Sequence, residues 1–239
     1  LNFGLKGVKP VPPTGLIHGQ KIILELSKWT RNYEHIYDFD KLPIPFRCNA
    51  FDILTGEEVV IKEGSIANAL RASLSIPTIF SPVEWGDALL VDGGVINNLP
   101  VDIVKDMGAE VVIAVDVSAT FQTKNNLNNI YDIIDQTISV HGYKNKEENI
   151  KKVDYYIQPA VENINFTDYS KSTIKSLYKY GEMAVQSNWS SLLDLKKVAR
   201  ENIKDSLQSI QKGQSPINSI IINGNNKLSK EFILRYIDL

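Results

Sequence analysis

Apolar and polar positions along the 239 residues alternate between two periods, one near two and one near three to four, so the chain predicts a mixture of strands and helices. Leu89, Leu90 and Val91 form a short apolar run broken by Asp92-Gly93-Gly94, which reads as a strand ending in a sharp turn. Asn98 is suited to cap the helix that follows, Pro100 to its first turn, and Gly108 to its stop. Upstream, Ile22, Ile23, Leu26 and Trp29 fall on one helical face, and Ser65 precedes a helix whose buried stripe is Ile66, Ala69, Leu70 and Leu74, ended by Pro77. Phe46, Cys48, Ala50 and Phe51 predict a strand, and the turn and strand of TGEEVVIKEG complete a hairpin-like pair with it. Residues 1–14 hold three of the ten prolines and predict irregular, extended backbone.

Downstream, EVVIAVDVS is a nearly continuous β-branched run, expected as a strand covered on both faces. Strand, helix and strand in that order predict a right-handed crossover and a mostly parallel sheet. Residues 121–129 are Asn-rich and read as a loop suited to a flap. Ile130, Ile133, Ile134 and Ile138 resume helical spacing and lead into the polar run HGYKNKEENIKK, a solvated helix face. VDYYIQPAV predicts another strand, and the helices after it meet at Gly181. A polar stretch at 201–215 marks a boundary, beyond which residues 216–239 read as a strand, a Gly-Asn-Asn turn and a helix capped by Ser229.

Composition excludes several classes. With 26 basic and 28 acidic residues and a net charge of -2, there is no electrostatic footprint for nucleic acid. Cys48 is the only cysteine, so an intramolecular disulfide is impossible, and it reads as a small buried hydrophobe. Three dispersed histidines without ligand spacing, no acidic calcium loop and no phosphate-binding loop predict no metal and no cofactor. No apolar run approaches the ~20 residues of a membrane-spanning helix.

Three polar side chains compete with Asp92 for a chemical role. His18 reads as a surface histidine, Arg71 lies off the buried stripe of its helix and reads as a solvated or structural arginine, and Asp116 reads as a structural carboxylate at a strand end. On the residues alone Asp92-Gly93-Gly94 reads first as a plain turn, with a catalytic role open because an aspartate at a strand's carboxyl end beside two glycines can be approached closely by another group.

The stretch SIANALRASLSIPTIFSPVEWGDALLVDGG, continued by NNLPVDIVKDMGAEVVIAVDV, resembles the second half of a patatin-like phospholipase, and LPIPFR followed by TGE resembles the bacterial members linked to outer-membrane barrels. The resemblance covers about Gly15 to Val185. It implies a patatin-like three-layer α/β sandwich with a mostly parallel central sheet, incomplete here: residues 1–200 are its C-terminal portion, 201–215 a linker, and 216–239 the first strand and helix of an α+β POTRA-like module. It also implies that Asp92, with Gly93 and Gly94 as its motif turn, pairs with a serine nucleophile in a lipid acyl hydrolase. That serine belongs to a Gly-x-Ser-x-Gly turn, with a Gly-rich oxyanion loop nearby, and neither occurs in these residues.

The sequence is therefore expected to be a piece of a longer protein, inactive by itself. The alternative is a catalytically inactive patatin-like module that binds or scaffolds an outer-membrane assembly. Implied partners are a phospholipid or other acyl ester and, through a C-terminal barrel, the bacterial outer membrane, with the domain periplasmic or surface-exposed; association of copies is compatible with the pattern. Ile79, Phe80, Val83 and Trp85 are candidates for an apolar mouth facing lipid, with core packing as the competing and preferred role.

Overall fold

The computed structural model describes residues 4–6, 9–11, 14–118, 121, 124, 127, 130–162, 164, 168–193, 195 and 229. The expected linker at 201–215 lies outside the described residues, as does the POTRA-like segment at 216–239 apart from Ser229, and most of the Asn-rich stretch at 121–129. The fold is mixed α/β.

Its main sheet has four strands in the order β4-β3-β6-β5: β3 is Cys48–Asp52, β4 Glu57–Ile61, β5 Val83–Trp85 and β6 Ala88–Asp92. Each neighbouring pair is antiparallel. The β3–β4 hairpin follows the expected turn, with Gly56 at φ 78° where a side chain would be strained. The parallel crossover from β6 to the next strand is not found among the described residues. Gly86 at φ 60° and Asp87 make a two-residue hairpin turn between β5 and β6, and β3 takes the other edge of β6. No edge of β6 remains for a parallel partner. Parallel pairing occurs instead between β7, Ile113–Val115, and β8, Tyr155–Ile157.

Helix α2, Ile66–Ser73, begins where Ser65 Oγ accepts from the Asn68 N–H. Its buried alanines, Ala69 and Ala72, pack with Phe39, Ala50, Ile61, Ile66 and Leu90 into one core. A second core joins Leu99 and Val101, at the start of α3 (Val101–Asp106), to Val112 and Ala114. Ala109, Ile150, Val153 and Tyr156 pack around it, Ile150 being the last residue of α4, Ile130–Ile150. The stretch 92–98 passes from the first core to the second.

Several expectations are corrected. In α1, Gln20–Thr30, Trp29 is 75% exposed and Thr30 is buried in its place, its hydroxyl donating to Leu26 O and Glu34. The β7 run is covered on one face only: Val112 and Ala114 are buried, while Ile113 and Val115 are about half exposed. Asn98 does not cap α3, which starts after Pro100 without a side-chain cap. Helix α5, Lys171–Ser187, runs unbroken through Gly181, around which there is open space. Within the first fourteen residues, β1 (Gly4–Lys6) and β2 (Lys9–Val11) form an antiparallel pair that tolerates Pro10 because neither strand is central.

Candidate active site

Asp92 is the last residue of β6, and its backbone N–H donates to Ser75 O at 3.0 Å. A single 3-10 turn, Gly93–Val95, follows, and the Gly94 N–H donates to Asp92 Oδ1 at 2.7 Å. The carboxylate is thus the cap of that turn. Its other oxygen has no hydrogen-bond partner among the described residues and is not sealed from solvent. Burial pushes the Asp92 carboxyl above its ordinary value, and the single bond from Gly94 offsets this only in part.

Close approach of backbone requires Gly93, while Gly94 faces only side-chain atoms. A Cβ on Gly93 would lie 2.5 Å from the backbone oxygen of Asn49, and one on Gly94 would lie 2.8 Å from Asn98 Oδ1. Gly142 of α4 presses on the same turn, where a Cβ would come within 2.7 Å of Gly94 O.

Beneath the turn lies a buried amide network that the sequence reading did not single out. Asn49 Nδ2 donates to Asn97 O at 2.9 Å and to Glu58 Oε1 at 2.8 Å. Asn97 Nδ2 donates to Asp102 at 3.1 Å, and Asn149 Nδ2 donates to Asn97 Oδ1, Leu99 O and Asp102 at 3.0–3.1 Å. All three asparagines are buried, and β3, the 92–98 stretch and α4 are thereby tied together. One signal was visible: Asn49 stands between Cys48 and Ala50 in the strand, a placement that demands partners when buried.

Arg71, for which a solvated and a structural role were both open, is buried at 5% exposure and takes the structural one. Its guanidinium donates to Ser75 Oγ, to Ser81 O at 3.0 Å and to His18 O at 3.3 Å, and lies 5.3 Å from the Phe80 ring centre. Ser75, fully buried, supplies the carbonyl that holds the Asp92 N–H. The chain at Gly19, with φ 80°, runs so close to the guanidinium that a Cβ there would overlap it. His18 is exposed and shares a 3.3 Å hydrogen bond with Ser81 through Nδ1.

Asp116 is structural, as expected. It receives an ion pair from Lys146 at 2.6 Å, the Tyr156 hydroxyl at 2.5 Å and both the backbone N–H and the hydroxyl of Ser118. Burial works to raise its carboxyl, but these donors outweigh it and hold the group below its ordinary value. Cys48 is half-buried; desolvation pushes its thiol up to about 12, so it is not a nucleophile at neutral pH. Val83 and Trp85 of the expected apolar mouth pack against the first core, and Phe80 lies under Arg71. Core packing, the preferred role, accounts for Val83 and Trp85, and Phe80 is engaged by the Arg71 guanidinium.

Among the described residues no cluster of His, Cys, Asp or Glu is arranged to hold a metal, and no helix is long and apolar enough to cross a membrane. Chemically, Asp92 offers a carboxylate of raised basicity with one oxygen held and one open, suited to accept a proton from a hydroxyl brought alongside.

Residues 17–105, which contain Arg71, Ser75 and the Asp92-Gly93-Gly94 turn, match the family model for patatin-like phospholipases. An uncharacterized NTE family protein of Mycobacterium tuberculosis is 43% identical over 83 residues, 34% of this chain and 14% of its own length. Patatin-like phospholipase domain-containing proteins 7 and 6 of Mus musculus are 38% and 35% identical over 86 and 102 residues. Those matches cover 35% and 41% of this chain, and 6% and 8% of the mouse proteins. The chain thus spans a small part of the curated relatives it matches.

Proposed function

We propose that this chain is part of a serine-dependent lipid acyl hydrolase in which Asp92 is the general base. Its similarity to patatin-like phospholipases supports a hydrolase of lipid esters at the family level. The single observation that carries the finer assignment is the state of Asp92: desolvated, fixed by one backbone donor, and open at its second oxygen. A serine supplied from outside these 239 residues attacks the ester carbonyl while its hydroxyl proton passes to Asp92. The tetrahedral intermediate collapses, the alcohol leaves with that proton, and water repeats the cycle on the acyl-serine. The open second oxygen of Asp92 is where the serine hydroxyl would come within hydrogen-bond distance of the carboxylate.

A C-terminal POTRA-like module and barrel that place the domain at the bacterial outer membrane remain part of the proposal, supported by the strand-turn-helix pattern of residues 216–239 alone. The test of the catalytic assignment is Asp92→Asn in the full-length protein, assayed on a short chromogenic ester and on phospholipid. Loss of a positioned base should lower kcat by roughly a hundredfold or more. Activity at the wild-type level would remove Asp92 from the chemistry. An inert wild type with intact folding would favour the binding or scaffold role.

A further inference from the structure

Helix α5 is more buried along one side and, among the described residues, open on the other. Ala184 is buried and Thr173, Ser176 and Tyr180 are half-buried. At about 100° per residue these four lie along one side of the helix. Ile174, Tyr178 and Val185 fall within about 40° of one another on the other side, and Trp189, just past the helix end at Asn188, continues their line. They are open to solvent: Ile174 41%, Tyr178 73%, Val185 36% and Trp189 55%. With Leu177 and Gly181 they line one shallow, mostly apolar groove, which Glu182 and Gln186 also border. An exposed apolar strip of this kind is uncommon on a free surface and marks a place of contact.

What borders the strip identifies the contact. Lys171, Lys175 and Lys179 follow at four-residue steps along one edge, all exposed, against a single acid there, Glu182. Tyr and Trp on the apolar side with lysines at its margin are the side chains that settle at the boundary between acyl chains and headgroups.

We infer that the open face of α5 is a docking surface for an anionic lipid bilayer, the helix lying flat with Tyr178 and Trp189 inserted and the three lysines against headgroup phosphates. This deepens the proposed function, on which it rests for the class of substrate, because it would hold the hydrolase at the surface where acyl esters are found. It moves lipid contact away from the segment of Ile79, Phe80, Val83 and Trp85, where Val83, Trp85 and Phe80 are engaged in packing.

The experiment is flotation of the full-length protein with vesicles of phosphatidylcholine alone, or of phosphatidylcholine with phosphatidylglycerol. Wild type should float with the anionic vesicles. Tyr178→Asp with Trp189→Asp, and separately Lys175→Glu with Lys179→Glu, should each weaken partitioning about tenfold or more while melting temperature and short-ester hydrolysis stay unchanged. In a background with Trp29, Trp85 and any tryptophan outside these 239 residues replaced by Phe, Trp189 emission should shift to the blue on anionic vesicles and be quenched by acrylamide without them.

Absence of flotation, or flotation indifferent to both pairs of substitutions, overturns the inference. So does a Trp189 already shielded in vesicle-free protein, since its cover is then another part of the chain or a second copy. The two proposals fail separately. If Asp92→Asn keeps its esterase activity while the α5 variants lose the vesicles, the catalytic assignment falls and the surface stands.

Discussion

Arg71→Met should destabilise the protein by about 3 kcal/mol. Methionine keeps the length of the side chain and removes the fork, so what is lost is chiefly the contacts of the guanidinium to Ser75 Oγ, Ser81 O and His18 O, and its position over Phe80. Hydrogen bonds to a charged group contribute ~1.5–3 kcal/mol each and a cation over a ring ~0.5–1. Their sum overstates the loss, because burial of the guanidinium itself is costly and lowers its pKa from the ordinary value, although an arginine stays charged. The acceptors also differ in what they lose. Ser75 Oγ still donates to Arg71 O at 2.7 Å, and His18 is exposed, so its carbonyl can take water. That leaves the half-buried Ser81 carbonyl as the main orphan.

At this size ~3 kcal/mol is a drop of about 6–12 °C in melting temperature, measured by thermal and urea unfolding. The loss should also be local before it is global. Leu16 and Ile17 donate their backbone N–H to Thr78 O and Ile79 O, and Asp92 donates to Ser75 O; amide exchange should accelerate at all three. Arg71→Lys, with one point charge for three acceptors, should recover only part of the stability. An unchanged urea midpoint in the Met variant, or protection at Leu16, Ile17 and Asp92 that falls no more than the average, would refute the clamp.

Gly93→Ala should lower the melting temperature or prevent accumulation of folded protein, since its Cβ meets the Asn49 backbone oxygen at 2.5 Å and neither chain can move aside; overpacking of this kind costs about 1–3 kcal/mol or more. Asp92→Asn should be at least as stable as wild type at neutral pH. Because burial raises the folded-state pKa of Asp92, wild type loses stability as pH rises above the ordinary value of 3.8, so the variant's advantage should vanish below that pH in paired thermal melts. Lys146→Met should cost roughly 3 kcal/mol by leaving Asp116 buried without its cation. The folded-state pKa of Asp116 is lowered, so its contribution is present above the unfolded value and is lost as pH falls through the folded one. The gap between wild type and the Lys146 variant should therefore close on acidification, read by urea midpoints across that range.

Local signals in the chain were legible where one residue type has one local use. Ser65 capped α2, Gly56 turned the β3–β4 hairpin, and Asp92 ended β6 beside Gly93, which packing does require. Failures occurred where tertiary partners decide. Arg71 was legible only as either solvated or structural, because the segment 15–19 that covers it is distant in sequence and nothing near Arg71 announces that cover. The parallel sheet was expected from the order strand-helix-strand, but the Gly86-Asp87 turn had already committed β6 to an antiparallel neighbour. Trp29 was assigned to the core by periodicity, whereas the buried position went to Thr30, whose hydroxyl satisfies itself on Leu26 O.

Comparison of three aspartates explains why Asp92 stands apart. Asp52 and Asp116 are each more buried by area, 4% and 3% exposed, yet both carboxyls lie below the ordinary value. Donors outweigh burial at both: Asp52 receives the N–H groups of Leu54 and Leu89 and the Thr55 hydroxyl, and Asp116 receives Lys146, Ser118 and Tyr156. Asp92 receives Gly94 alone. Its surroundings are nonetheless rigid, with β3, the loop after α2 and α4 all pressed on its turn or holding its backbone. Elements that fix an aspartate from three directions and supply one donor among them leave its charge undersatisfied while its position is set. A carboxylate that serves only to cap a turn gains nothing from that combination, whereas a proton acceptor needs both halves of it: basicity from the missing donors, and a held oxygen that leaves the other aimed at an incoming hydroxyl.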